Sequence, residues 1–190
     1  MEVTTTYLEQ TDPGDLRPAR EPAEALVVTR AELVSPELNR YLYTAVGGDW
    51  FWLDRLGWTW RQWREWLDRP GVETWVGTVA GTPIGYVELD GAATEGEVEV
   101  AYFGLLPGFL GRGLGGHLLT VGLREAWRLG ERWPGRAPVR RVWLHTCTLD
   151  GPAALANYEA RGLRAYRTER ETTELPAEPT GPWPGAGPRN

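Results

Sequence analysis

The chain has no lysine: all 20 of its basic residues are arginine. That excludes at once the Walker phosphate loop, whose Gly-Lys-Ser/Thr core needs the lysine ammonium on the terminal phosphates. A single cysteine, Cys147, excludes an internal disulfide framework and makes a reducing cytoplasm the expected setting. No stretch approaches the roughly 18 to 20 apolar residues that a membrane span requires, so no membrane association is expected. The opening "MEVTTTYLEQTDPGD" is acidic and lacks the basic-then-apolar pattern of a secretory signal. Basic clusters are missing too, and the formal net charge is -6, which argues against nucleic acid and for a cationic or neutral small molecule as partner. Isoleucine occurs once, at Ile84, whereas glycine occurs 24 times and proline 15 times. This bias weakens any glycine-rich match taken alone, so spacing and context have to carry it.

At 190 residues one core is the expectation. The reading is a single domain over residues 1–175 and a flexible Pro/Gly-rich tail over 176–190. Short β-branched stretches from Val3 to Glu9 and from Ala25 to Leu33 read as strands. Ser35 followed by Pro36 is a good helix start. In "TWRQWREWLDRPG", Trp60, Trp63 and Leu67 repeat at i, i+3 and i+7, predicting a second helix with those three on its packed face. Residues 72–79 and 83–89 form a hairpin turning at Gly81-Thr82. "GEVEVAYFGLLP" is a strand running from surface into centre, and a long apolar-faced helix spans about 113–129. The strand "VRRVWLHTCT", a short helix in "GPAALANYEARG" and the strand "LRAYRTERETTEL" follow.

Between the apolar strand and the long helix lies "GFLGRGLGGHLL", with glycine at 108, 111, 113, 115 and 116. Each glycine inside a helix costs about 1 kcal/mol. The cost is offset if an anion sits there, because a helix N-terminus offers unpaired N–H groups and glycine lets a phosphate reach them. A dinucleotide fingerprint needs G-x-G-x-x-G, whereas Gly111-Arg112-Gly113-Leu114-Gly115 reads G-x-G-x-G.

The stretch from Leu105 to Leu119, with Pro107 ending the strand and Gly113 and Gly115 at the motif glycines, resembles the pyrophosphate loop of the GCN5-related N-acetyltransferases (GNATs). It departs where Leu110 replaces the usual glutamine or arginine. "NYEARGL" resembles the family's Tyr-Glu-x-x-Gly-Phe element, extending the likeness over about residues 25–170. The resemblance implies an α/β (α+β) GNAT fold: a mixed sheet of six to seven strands, mostly antiparallel with one splayed parallel pair, and about four helices. It also implies acetyl-CoA as acetyl donor, no metal, and direct transfer to a small-molecule amine in a ternary complex. The alternatives are a protein or peptide amine as acceptor, or a silent acyl-CoA-binding module. Monomer and homodimer are both compatible.

On this resemblance, the pantetheine arm would lie along Leu105 and Leu106, and the diphosphate on Gly111, Arg112, Gly113, Leu114, Gly115 and Gly116. Tyr158 takes the place of the acid that protonates the leaving thiolate. An asparagine frequent seven residues before it is Gly151 here. Glu99 stands eleven residues before the Leu110 position, the offset of the base glutamate in the histone-acetylating branch. Glu97, on the same strand face, and His145 are the alternative bases. Cys147 shares the face of His145 and is expected to be packed and inert. Six of the 11 tryptophans fall between residues 49 and 67. Trp50, Trp52 and Trp58, with Asp54 beside them, are expected to line the acceptor pocket and to receive an ammonium by cation–π contact and carboxylate pairing. A dimer interface would use such tryptophans equally well.

Overall fold

Residues 1–183 are described by a computed structural model. Seven strands form one sheet in the order β2-β3-β4-β5-β6-β1-β7, where β1 is Glu2–Gln10, β2 Leu26–Arg30, β3 Val72–Val79, β4 Thr82–Asp90, β5 Glu97–Leu105, β6 Arg141–Cys147 and β7 Arg164–Thr172. Every neighbouring pair is antiparallel except β5 and β6. Five α-helices flank it among the described residues: α1 Pro36–Gly47, α2 Trp60–Leu67, α3 Leu114–Trp127, α4 Leu129–Arg132 and α5 Ala154–Ala160. The expected sheet is therefore present. The expected long helix is shorter and divides at Arg128, which adds α4 to the four helices anticipated.

Helix α3 forms because its leucines recur at helical spacing, and their burial holds it. Leu114, Leu118, Leu119 and Leu123 have no exposed surface and pack with Val87 and Leu89 of β4, Val98 and Val100 of β5, and Val142 and Leu144 of β6. At roughly 1.5–3 kcal/mol per buried aliphatic side chain, this face is a main source of stability. On the opposite sheet face, Leu42 and Val46 of α1 cover Tyr86, and Tyr43 packs with Trp63 and Leu67 of α2. α2 carries a Thr59–Gln62 capping box. Trp60 is a correction: it is 56% exposed, its indole N–H donating to Glu37, because it sits at the first helical position, beyond the edge of the packed face.

The β3–β4 hairpin turns at Ala80 and Gly81, both at positive φ, one residue earlier than expected. Strand β5 carries a bulge: Leu89 pairs with Val100 and Glu88 with Tyr102, leaving Ala101 without an opposite number. The bulge puts Glu99 and Tyr102 on the face that meets α1 and α2.

Of the tail set apart by composition, residues 184–190 lie outside the described residues. Within the described part, the Gly181 N–H donates to the Gly48 carbonyl at 2.9 Å and Pro182 is buried.

At the end of α5, Gly162 has φ +88, its N–H donates to Glu159 O, and the Leu163 N–H donates to Tyr158 O. This left-handed cap turns the chain into β7. A Cβ there would collide with the Asp15 carbonyl. Gly162→Ala is thus expected to cost more than about 2 kcal/mol, from the left-handed strain and the clash together, read as a lower denaturation midpoint at unchanged slope.

Candidate active site

Strands β5 and β6 pair only at Glu97–Arg141, Val98–Val142 and Glu99–Trp143. Past Glu99 they part, so the β6-facing edge of β5 has no strand partner among the described residues. The gap opens into a cleft of about 920 Å³. Its floor is β5 from Glu99 to Leu105, one wall is the 50–58 segment, and the other runs through His145 and Cys147 to Asn157 and Tyr158.

The glycine loop closes one end. Gly111 and Gly113 sit at φ +75 and +76, with open space where a Cβ would be. Gly113 is the N-cap of α3 and supplies no side chain, so the first-turn N–H groups are left free of a capping side chain. Gly111, Gly115, Gly116 and Leu110 line the cleft, whereas Gly113 and Leu114 support it from behind, Leu114 being fully buried. Arg112 lies outside the lining: its guanidinium grips the Glu24 carboxylate with both Nε, at 2.7 Å, and Nη2. Sequence reasoning missed Arg161. Its Nη1 stands 2.5 Å from where a Gly116 Cβ would lie, and its buried Nε has no partner among the described residues. Leu105 lines the cleft, while Leu106 turns toward α1 and gives its N–H to Ile84 O at 2.8 Å.

Deeper in, Tyr158 is 7% exposed and stacks edge-on against Phe103 at 6.0 Å. Its hydroxyl has no partner among the described residues. Burial, aided by the Asp150 charge, raises its pKa well above that of a free phenol, so it is protonated at neutral pH. Glu99 lines the cleft with His145 Nε2 at 3.6 Å from its Oε1. Burial, with repulsion from Asp90 adding to it, raises the Glu99 carboxyl to about 7. Burial lowers the His145 pKa, which keeps the imidazole neutral at that pH. Glu97 is away from the cleft lining and donates nothing to it, since Arg141, held also by Glu9, binds its carboxylate at 3.0 Å. Cys147 lines the cleft, and burial raises its thiol pKa, which keeps it as thiol.

The acceptor-side residues come together as well. Trp50, Trp52, Asp54 and Trp58 all line the cleft. Trp50 crosses to the opposite wall, its ring at ordinary contact distance, 3.4 Å, from where a Gly151 Cβ would be. Trp52 is wedged over Gly47, with Tyr43 at 5.5 Å and Tyr102 at 4.9 Å. Asp54 accepts from the hydroxyls of Tyr43 at 2.7 Å and Tyr102 at 2.5 Å. Behind them lie a buried ion pair, Arg55–Glu88 at 2.7 Å, and a partly buried one, Arg69–Asp90 at 2.8 Å. Sequence reasoning missed these pairs. The available signal was Tyr86, Glu88 and Asp90 alternating on one face of a strand otherwise too apolar to be a surface.

A glycine-rich helix N-terminus, a splayed parallel pair beside it, and Tyr158 and Glu99 facing one cleft make up the candidate site. The sequence profile of the Acetyltransferase (GNAT) family matches residues 38–163, and the chain belongs to that family. No curated protein matches the chain. Among solved structures it is similar to a GCN5-related N-acetyltransferase from Kribbella flavida, with TM-score 0.61 and 19% identity over 87% of this chain and 55% of that one. It is similar to another from Sphaerobacter thermophilus, with TM-score 0.57 and 18% identity over 94% and 54%. A tandem GNAT protein from the clavulanic acid biosynthesis pathway gives TM-score 0.54 and 15% identity over 91% and 55%. The chain thus spans about half the length of these structures, and at these identities the likeness is one of fold. No helix among the described residues is long and apolar enough to cross a membrane. Nor do they hold a group of three or more His, Cys, Asp or Glu that could bind a metal ion.

Proposed function

We propose that the chain transfers the acetyl group of acetyl-CoA to the amine of a small molecule, directly, in a ternary complex. The observation that carries this reading is the sharing of one cleft by Glu99, Tyr158 and the first turn of α3. The residues fit the donor: the unpaired N–H groups of that turn suit a diphosphate, with Arg161 beside them, and the free edge of β5 suits the amides of the pantetheine arm. Leu110, in place of the usual polar residue, offers only an apolar surface at the mouth.

In the reaction the amine nitrogen attacks the acetyl carbonyl carbon, a C–N bond forms and the C–S bond breaks. Two protons must move. Glu99, through a water, accepts the one leaving the ammonium; its carboxyl, at about 7, is half ionised near neutral pH and therefore able both to take and to release it. Tyr158, held protonated by burial, gives its hydroxyl proton to the departing thiolate and is restored by the second proton that the acylated nitrogen loses, returned through solvent in the cleft. His145 stays neutral beside the Glu99 carboxylate, Nε2 at 3.6 Å from Oε1, and brings no competing charge to it. Trp50, Trp52 and Trp58 wall the acceptor side, and the Asp54 carboxylate draws the ammonium toward it.

Thiol release from acetyl-CoA across a panel of amines tests the proposal. Tyr158→Phe is expected to lower kcat by about 10²- to 10⁴-fold while the acetyl-CoA dissociation constant stays within about twofold. Normal turnover in this variant would make Tyr158 a packing residue only.

A further inference from the structure

The aromatic surface on the acceptor side already holds a cation of the protein's own. The Arg55 guanidinium carbon lies 4.1 Å from the Trp66 ring centre, 4.3 Å from Tyr102, 4.7 Å from Trp58 and 5.6 Å from Trp63. Arg55 is 4% exposed, yet it lines the cleft. Its side chain donates one hydrogen bond among the described residues, from Nη1 to Glu88 Oε1 at 2.7 Å. Glu88, itself 1% exposed, is also bound by the Trp66 indole N–H at 2.8 Å and by Asn39 Nδ2 at 3.3 Å, which fixes the pair in place. A guanidinium has five N–H bonds in a planar fork. Ring faces offset its charge but supply no oxygen lone pairs, so a buried arginine with donors turned to a cavity is costly until a ligand oxygen meets them.

The ligand that matches this fork is a carboxylate, whose two oxygens accept in parallel. The surrounding acids do not supply it: Glu88 is spent as described, Arg69 holds Asp90, and Asp54 takes two phenol hydroxyls. The register puts Arg55 near the reacting end. It rests on Glu88 and Tyr102, which are paired across β4 and β5, and Glu99 lies on the same face of β5 one bulge earlier, about 7 to 10 Å along the strand. We propose that the acceptor is an amino-acid-like molecule, its carboxylate docked on the Arg55 fork and its amine turned to Glu99. This rests on the transferase reading above and narrows its substrate class from amines to amines carrying a carboxylate a few bonds away.

Matched pairs test it: phenylalanine and phenethylamine, tryptophan and tryptamine, arginine and agmatine, each acid also as its methyl ester. The readouts are kcat/KM by thiol release and the dissociation constant by calorimetry with CoA present. At least one acid is expected to exceed its decarboxylated partner and its ester by about tenfold or more in both. The variant R55Q alone would leave Glu88 charged and buried, so the neutral pair R55Q/E88Q accompanies it, with R55K retaining charge but not the fork. In R55Q/E88Q, shown folded by its thermal melt, the acid preference is expected to vanish; in R55K it should shrink. The inference is overturned if no acid outperforms its carboxylate-free partners, or if the preference survives in the double variant. Acetylation of the carboxylate-free amines in that case would leave the transferase reading standing, whereas failure of CoA to bind and of every amine to release thiol would remove both.

Discussion

Gly115→Asp is expected to weaken CoA binding by at least about 100-fold, roughly 3 kcal/mol, while leaving the fold as stable as before or slightly more so. Gly115 is in the first turn of α3 and lines the cleft. A Cβ there meets only Leu105, at 3.5 Å, which is ordinary contact. Unlike Gly111 and Gly113 it has no positive φ, so a side chain adds no backbone strain. An aspartate in a first helical turn interacts favourably with the helix dipole, by about 0.3–1 kcal/mol, and it removes a poor helix former. The same carboxylate takes the N–H groups that a diphosphate needs and repels its charge. Stability and binding should therefore move in opposite directions, a pattern that general damage cannot produce. Calorimetric titration with CoA and a thermal melt check it, with Gly115→Ala as the milder control.

Glu99→Gln is expected to divide activity and stability in the same way. The wild-type kcat/KM should rise with pH through a midpoint near 7, the pKa to which the Glu99 carboxyl is raised, because the base works only when ionised. In the variant that rise should disappear and kcat/KM should fall by about 10²- to 10⁴-fold. For stability the sign is the reverse. A carboxyl raised from 4.5 to about 7 binds its proton more tightly in the native chain than in the unfolded one, so native stability falls as pH rises between those values. Above pH 7 the ionised, largely buried Glu99 costs on the order of 3 kcal/mol, and glutamine removes that cost. Glu99→Gln should thus melt at a higher temperature than wild type at pH 8 and at the same temperature near pH 4. A pH–rate profile that kept its limb near 7 in the variant would move the base role to His145 or to solvent.

Periodicity and punctuation made the core and the loop legible from sequence. The leucines of α3, the Ser35-Pro36 helix start and the glycines from 111 to 116 each satisfy a local rule, and local rules survive folding. Tertiary partners did not show. Whether Arg112 faces a ligand or Glu24 depends on a contact 88 residues away in the chain. The 48–59 segment has no repeat, and Phe51 within it takes a positive φ, so nothing in its order separates the buried Arg55 from the exposed Asp54. The offset from the glycine loop put Glu99 ahead of Glu97 on their shared strand face, and the physical difference came with the β6 register, which gives Glu97 an arginine and leaves Glu99 in the cleft. Trp60 and Trp63 were likewise alike in spacing, and the helix start separated them.

Transfer of a labelled acetyl group tests the central claim most directly. With acetyl-CoA carrying ¹³C in its acetyl carbon and the amino-acid and amine panel as acceptors, mass spectrometry should find one labelled N-acetyl product per thiol released. Both signals should be lost together in Gly115→Asp at donor concentrations that saturate the wild-type protein only. Tight CoA binding with no label on any acceptor, or thiol release without a labelled amide, would contradict the account.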